Sequence, residues 1–320
     1  METNETLDPS SISPSAYALL KMKSHTSIPY AREAAALLEA ANPSAPETPG
    51  TSGLTAGLES NVDPVDYWTR VMHFESRYWS INQLLAGQTP TNILEISSGF
   101  SFRGLDLSTK QPIYYIDTDL PNIITGKQKF IDAFAATSAP QALSAKPAPS
   151  ATQAPPALPG HYELQPLNAL DPKAFDEVIG KFPPGPLTIV NEGLLVYLDE
   201  EQKAQLCSNI RKALLTRGGS WITADVYIRR KETDPDSNAP WRQWSKKHHI
   251  EEKMFPSFHD AEAFFKGAGF NVEKEATPDY SRLTSFTQFL KICGQKALDD
   301  LRRRGTPPRH ATWRLAPAHP

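Results

Sequence analysis

The chain has 320 residues, of which 39% are hydrophobic and 22% charged, and this composition suits one α/β domain with a helical extension. Its 33 basic and 36 acidic residues give a net charge of −3, which excludes the broad positive field typical of proteins that bind nucleic acid. The two cysteines, Cys207 and Cys293, exclude a disulfide scaffold, and we predict no metal site. With no long apolar run and no leader pattern, we expect a cytoplasmic, soluble protein without a membrane partner.

Residues 14–41 predict an Ala/Leu-rich helix, which Ile28-Pro29-Tyr30 separates from an earlier turn. The pattern at 64–87 predicts a second helix with a Trp, Phe and Leu stripe. Together these segments predict an N-terminal helical cap over 14–88. We expect residues 1–13 before the cap to be disordered.

Residues 89–300 predict the main domain, in which short apolar runs alternate with helical patterns. The predicted strands are Asn92–Ser97, Ile113–Thr118, Tyr162–Leu167, Leu187–Asn191 and Ser220–Val226. Pro121 is expected to open one helix, and Asp199 to cap another over 200–215. Two later runs, Asn271–Glu275 and Ser285–Ile292, predict an antiparallel pair at the sheet edge. The order favours a Rossmann-like, doubly wound sheet of about seven strands, mostly parallel with one antiparallel edge strand.

Proline marks the irregular parts of the chain, because its 29 residues cluster in 42–64, in 140–159 and after 305. The stretch 138–160 is almost all Ala, Pro, Ser and Gln and cannot bury enough apolar surface to offset its ordering entropy. We therefore predict a flexible insertion there. The tail at 303–320 is expected to be disordered.

Candidate ligand-binding residues stand at the strand ends, since ligands of open α/β sheets bind beyond the carboxyl ends of the strands. The first strand runs through Glu95 into Gly99, which permits a positive φ and a close ligand approach but is also common in an ordinary turn. Asp119 lies 20 residues after Gly99, a spacing typical of an acid that binds ribose hydroxyls, and Asp117 precedes it by two. Either aspartate could instead cap the helix at Pro121. The sequence leaves the division of these two roles open.

Two further charged residues belong to the same predicted edge. Glu192 directly follows the fourth strand, either in the middle of the ligand cleft or as an exposed turn residue. Arg77 stands on the helix before the first strand, where it can fold over the cleft and pair with a ligand carboxylate. The alternative for Arg77 is a surface arginine beside core aromatic residues.

The ordered set of segments resembles the leucine carboxyl methyltransferase family, which includes polyketide carboxyl O-methyltransferases of the tetracenomycin type. The matching segments are Arg77–Leu85, Ile93–Gly104, Tyr115–Pro121 and Asn191–Leu198. They stand in the family's order within residues 64–292. The resemblance implies a methyltransferase that uses S-adenosylmethionine as cofactor.

The resemblance also implies roles for individual residues. Arg77 would hold the methionine carboxylate, Gly99 would form the close turn, and Asp119, with or without Asp117, would bind the ribose. The remaining cofactor-binding residues that it implies are Glu95, Leu167, Asn168 and Glu192. Leu167 and Asn168 would lie beside the adenine, and Asn168 departs from the aspartate usual in the family. Some members also use an N-terminal lysine, for which Lys21 and Lys23 are the candidates.

The expected acceptor is a carboxylate or phenol of a small-molecule or polyketide-like compound. A carboxylate is already anionic at pH 7 and needs no general base, whereas a phenol would need one, for which Tyr197 and His248 are the candidates. Trp241, Arg242 and Trp244 suit an aromatic acid, or equally a lid that packs on its own domain. One alternative acceptor is a protein C-terminus.

Two alternatives to a methyltransferase remain at this stage. An NAD-dependent oxidoreductase shares the glycine turn and the acidic residue, but the turn at 95–104 lacks the second close glycine of the dinucleotide-binding motif. The other alternative is a non-catalytic protein that binds S-adenosylmethionine.

Overall fold

A computed structural model describes residues 14–41, 63–138, 159–229, 245, 249–304 and 309–318. The predictions for 1–13 and for nearly all of 138–160 therefore lie outside the described residues. The same is true of four candidate site residues, namely Trp241, Arg242, Trp244 and His248.

Seven strands form one sheet in the order β3-β2-β1-β4-β5-β7-β6. The strands are β1 Asn92–Ile96, β2 Tyr114–Asp119, β3 His161–Pro166, β4 Leu187–Asn191, β5 Gly219–Tyr227, β6 Phe270–Glu275 and β7 His310–Pro317. Strands β1 to β5 pair in parallel, while β7 pairs antiparallel with both β5 and β6. The predicted fold class is confirmed. The antiparallel strand lies second from the edge, inserted between β5 and β6.

The helices lie before the sheet, between its strands and near its end. They are α1 Pro14–Lys23, α2 Ala31–Ala41, α3 Pro64–Ala86, α4 Arg103–Ser108, α5 Pro121–Ser138, α6 Pro172–Ile179, α7 Glu200–Arg217, α8 Phe258–Gly267 and α9 Thr284–Arg304. Two predicted starts are confirmed by their capping geometry: α3 begins at Pro64 behind its N-cap Asp63, and Asp199 caps α7. Asp199 forms a capping box with Gln202, in which each side chain bonds the other's backbone N–H. Among the described helices, none is long and apolar enough to cross a membrane.

The strand predicted over Ser285–Ile292 is wrong, because this segment belongs to helix α9. Along α9 the apolar side chains at 286, 289, 290 and 293 follow helical spacing and belong to one hydrophobic cluster, so the short apolar run was interpreted with the wrong period. The carboxylate of Glu75 in α3 accepts hydrogen bonds from the backbone N–H groups of Thr284 and Ser285, at 3.2 and 2.8 Å. A carboxylate at this position satisfies the first amides of the helix and complements its dipole.

The prediction of a disordered tail over 303–320 is wrong for most of that segment. Helix α9 continues to Arg304, and His310–Pro317 forms strand β7. Ala311, Trp313 and Leu315 alternate along β7 and are buried in the main core. The flanking prolines concealed this two-residue period. Pairing with β5 and β6 on both sides supplies the order that the local composition does not.

Candidate functional site

The carboxyl ends of β1, β2, β4 and β5 lie at one edge of the sheet, because these strands run in parallel. This edge carries Gly99 after β1, Asp119 at the end of β2, Glu192 after β4 and Tyr227 at the end of β5. Helix α3 brings Arg77 to the same edge through a contact with Glu192. The fold thus gathers residues that lie up to 150 positions apart.

Glu192 is the centre of this edge and is held by three cations. Its Oε1 accepts hydrogen bonds from Lys23 Nζ at 3.1 Å and from Arg77 Nη2 at 2.9 Å. Its Oε2 accepts from Arg103 Nη2 at 2.9 Å. Burial alone would raise the pKa of the Glu192 carboxyl, but the three cations outweigh burial and hold that pKa far below its usual range. Of the two lysines suggested for the N-terminal segment, Lys23 is the one in contact.

Arg103, which sequence reasoning missed, joins Glu192 to Glu95. Its Nε lies 3.4 Å from Glu95 Oε1, and Tyr115 donates to Glu95 Oε2 at 2.5 Å. Arg103 Nη1 also donates to the Tyr78 carbonyl at 3.0 Å. Burial raises the pKa of Glu95 to about 6, although Arg103 acts in the opposite direction. Glu95 has no exposed surface, and its carboxylate contacts Arg103 and Tyr115, so it is not placed to make the direct ligand contact that the sequence had predicted.

Three cations of this cluster, Lys23, Arg77 and Arg103, bond the single carboxylate of Glu192. The buried Asp225 also acts on Arg77 and raises its pKa, so the formal charges of Lys23, Arg77 and Arg103 are matched by those of Glu95, Glu192 and Asp225 when all are ionised. Arg77 Nε is buried and has no hydrogen-bond partner among the described residues. A buried arginine N–H that lacks a partner is costly. A ligand carboxylate would supply the missing acceptor.

The two aspartates of β2 have different surroundings. Asp117 is fully buried, and its Oδ2 accepts from Lys127 Nζ at 2.7 Å and from Tyr162 Oη at 2.6 Å. Asp119 is only partly buried, and its Oδ2 accepts the backbone N–H of Gly99 at 2.8 Å. Its Oδ1 accepts the N–H of Leu120 at 2.7 Å. Of the two aspartates, Asp119 is therefore the one that keeps exposed surface.

The turn after β1 is open to a ligand. Gly99 has φ +51°, and a Cβ added there would meet no atom within 4 Å among the described residues. Across the edge, the buried Leu167 donates its backbone N–H to the Asp119 carbonyl at 2.8 Å. Asn168 is exposed, and its Oδ1 accepts from the backbone N–H of Leu170 at 3.1 Å. These two residues follow β3 directly beside Asp119, where the sequence placed them.

Asp225 of β5, also missed from the sequence, fixes the loop that carries Glu192. Its Oδ1 accepts the N–H of Gly193 at 2.5 Å, and its Oδ2 accepts those of Leu194 and Leu195 at 2.6 and 3.0 Å. Gly193 has φ +83°, a conformation that favours glycine. Tyr197 stands further along this loop and is 45% exposed.

Beside Arg77 the edge changes from charged to neutral groups. Tyr227 Oη accepts from Arg77 Nη1 at 2.7 Å and lies 2.9 Å from His73 Nε2. His310 of β7 packs on both rings, at 5.0 Å from His73 and 4.7 Å from Tyr227 between ring centroids. All three side chains are partly buried. No local signal marks this group, because its members come from α3, β5 and β7.

No family model matches the chain, and no curated protein sequence matches it. Among solved structures it is similar to an O-methyltransferase family protein from Burkholderia thailandensis, at 13% identity and a TM-score of 0.46 over 79% of this chain and 59% of that one. It is also similar to magnesium protoporphyrin IX methyltransferase from Synechocystis PCC 6803 with bound SAH, at 11% identity and a TM-score of 0.41 over 81% and 90% of the two chains. For mitomycin 7-O-methyltransferase the values are 11% and 0.42, over 88% and 63%.

The chain thus spans less than two thirds of the length of two of these three structures. Such low identities and TM-scores assign no activity to this chain. The evidence for a function therefore lies in the residues of the site.

Proposed function

We propose that this chain is an S-adenosylmethionine-dependent O-methyltransferase related to the leucine carboxyl methyltransferase family, acting on a small-molecule acceptor. The observation that carries the proposal is the buried cluster around Arg77, in which three cations bond Glu192 and the Arg77 Nε has no partner among the described residues. A cluster of this kind is complementary to a single ligand carboxylate at the carboxyl edge of the sheet.

The remaining residues of the edge fit the other parts of the cofactor. Asp119 can accept bonds from ribose hydroxyls, because each carboxylate oxygen has a second lone pair beyond the one given to a backbone N–H. The open space at Gly99 permits close approach to the backbone. Leu167 offers an apolar contact and Asn168 an amide for a base edge. We assign no ligand contact to Asp117, whose carboxylate is buried against Lys127.

When bound, S-adenosylmethionine supplies an electrophilic methyl group on its sulfonium. The chain's own contribution is to bind, to orient and to exclude water. Arg77 and Lys23 would fix the carboxylate end, and Asp119 would fix the ribose. Glu192 would hold the two cations in place, since it already bonds both.

Sheet topology argues against the oxidoreductase alternative. The common dinucleotide-binding sheet has the order 3-2-1-4-5-6 and is mostly parallel. Here an antiparallel strand lies between β5 and β6. A non-catalytic binding protein and a methyltransferase of protein C-termini are separated from the proposal by experiment.

The first experiment is isothermal titration calorimetry of the full chain with S-adenosylmethionine, with S-adenosylhomocysteine and with NAD. We expect both sulfur compounds to bind at micromolar protein and NAD not to bind. Arg77→Gln should weaken binding by at least about 30-fold, as expected for loss of one partner of a buried charge pair. The exposed Arg32, replaced by Gln, is the matched control and should leave the Kd unchanged.

Labelled methyl transfer then separates the catalytic readings. We expect label to enter a small aromatic acceptor and not a short peptide with a free C-terminus. Failure of S-adenosylmethionine to bind would exclude the proposal as a whole. Binding without transfer to any acceptor would favour the non-catalytic alternative.

A further inference from the structure

The hydroxyl of Tyr227 lies between an arginine and a histidine at the edge of the proposed cofactor site. Arg77 Nη1 donates to it at 2.7 Å, and His73 Nε2 lies 2.9 Å away on the other side. Arg77 in turn bonds Glu192 at 2.9 Å, which places the Tyr227 hydroxyl directly beside the group expected to hold the methionine carboxylate. Tyr227 and His73 are only partly buried.

The two histidines of this region are neutral at pH 7. Burial lowers the pKa of His310 to about 4. Burial, together with His310 and Arg77, holds the pKa of His73 well below its usual range. His310 Nε2 donates to the Ala224 carbonyl at 2.7 Å, since a carbonyl can only accept. This part of the site therefore offers polar but uncharged groups.

We propose that the methyl acceptor is a hydroxyl group, of a phenol or alcohol, and that Tyr227 and His73 take up its proton. The inference rests on the proposed function, because it needs S-adenosylmethionine as the methyl donor. It differs from the usual expectation for a carboxyl methyltransferase, whose acceptor is already an anion and needs no base.

The hydrogen bonds of the Tyr227 hydroxyl favour a methyl acceptor that can donate a hydrogen bond to it. A tyrosine hydroxyl has one proton and two lone pairs. Arg77 uses one lone pair, and the polarisation that it causes favours donation of the Tyr227 proton to His73 Nε2, because donors and acceptors then alternate along the chain. One lone pair is left. It can accept a bond from a hydroxyl but not from a carboxylate, which has no proton to donate.

A lone pair of the acceptor oxygen forms a bond to the methyl carbon, while the bond from that carbon to sulfur breaks and leaves its electron pair on sulfur. The acceptor's proton passes to Tyr227 Oη, and the proton of Tyr227 passes to His73 Nε2. The products are a methyl ether, a neutral thioether and an imidazolium, which releases its proton to solvent in the next step.

A histidine with a lowered pKa is basic enough for this step. The acceptor oxygen becomes more positive as its new bond forms, so its proton becomes far more acidic than that of a free hydroxyl. The imidazole need only capture that proton during transfer. A ligand carboxylate on Arg77 would also neutralise one of the cations that oppose protonation of His73.

The test uses the full chain, labelled S-adenosylmethionine and a matched pair of probes, 2-naphthol and 2-naphthoate. We expect transfer to the naphthol only. His73→Gln can still accept the Tyr227 hydrogen bond but cannot hold a proton, so kcat should fall by about 100-fold or more while the Kd for S-adenosylmethionine stays unchanged. His249→Gln alters an exposed histidine and is the matched control.

A second measurement does not depend on turnover. Nitrogen NMR of labelled histidine, assigned with the His73→Gln variant, reports which ring nitrogen of His73 carries its proton. We expect Nε2 to be unprotonated in the resting protein. Thermal melting of each variant checks that the fold is intact.

Three results would overturn the inference: transfer to naphthoate or to neither probe, a kcat unchanged in His73→Gln, or a proton on Nε2 of His73. In each case retained binding of S-adenosylmethionine would leave the proposed function standing. Loss of that binding in the unaltered protein would instead remove both.

Discussion

Two neighbouring regions of one sheet edge are both at least partly buried, but one keeps its central side chain ionised and the other keeps its side chains uncharged. In the charged region, Glu192 stays ionised because Lys23, Arg77 and Arg103 surround it. In the neutral region, His73 and His310 stay uncharged because burial disfavours their protonated forms. Both regions meet at Arg77, which bonds Glu192 with one nitrogen and Tyr227 with another.

One cation, Arg77, affects the protonation of a side chain in each region. The charge of Arg77 lowers the pKa of Glu192 and so keeps a negative charge in place. The same charge disfavours a proton on His73 and so keeps a proton acceptor available. The charged region suits an anionic ligand group, and the neutral region suits a group that donates a hydrogen bond.

The largest expected effect comes from breaking the charged region at Arg103. Arg103→Leu leaves Glu95 and Glu192 buried without their shared cation, and removal of one partner of a buried ion pair costs about 3–5 kcal/mol. Urea unfolding at pH 8 should show this loss. The exposed Arg32→Leu should change the free energy of unfolding by less than about 0.5 kcal/mol, and an equal loss in both variants would contradict the assignment.

The stability contributed by each of the two regions should be lost over a different range of pH. His310 has a folded pKa of about 4, below its unfolded value of 6.5, so the unfolded chain binds the extra proton and stability falls as pH drops from 6.5 towards 4. The slope from this group approaches about 1.4 kcal/mol per pH unit. Glu192 has a lowered folded pKa, so its contribution is present above 4.5 and is lost only as pH falls below that value.

These contributions are measured as differences between the unaltered chain and His310→Phe or Glu192→Gln. The difference is needed because Glu95, with its raised folded pKa of about 6, acts with the opposite sign: stability from Glu95 increases as pH falls from 6 to 4.5. Identical pH profiles for the unaltered chain and for both variants would contradict the contrast between the regions.

The smallest expected effect lies in the neutral region at pH 8. His310→Phe removes one hydrogen bond to the Ala224 carbonyl and no charge, so we expect a loss of about 1 kcal/mol. Denaturant unfolding at low and at high salt should give the same value, because no ion pair is broken. A loss as large as that of Arg103→Leu would show that the neutral region carries more of the stability than its contacts indicate.

Much of the fold could be predicted because its signals are local. The strands at 92, 187 and 219 begin within one residue of their predicted positions, since short apolar runs end at clear turn residues. The strand predicted at Ser285–Ile292 was wrong because an apolar run of eight residues fits both a strand and the buried face of a helix. Strand β7 was not predicted because the proline-rich composition of the tail indicated disorder more strongly than its three alternating apolar residues indicated a strand.

The sequence by itself determined the α/β order and the glycine turn, and it indicated Arg77, Asp119 and Glu192 as candidates for one sheet edge. Only the tertiary structure decided that Asp119 keeps exposed surface while Asp117 is buried. It alone assembled Arg103 with Glu192 and His73 with Tyr227, pairs that are 89 and 154 residues apart. The physical reason is that a strand or a turn depends mainly on residues adjacent in the sequence. A contact between distant side chains depends instead on how the elements that carry them pack together.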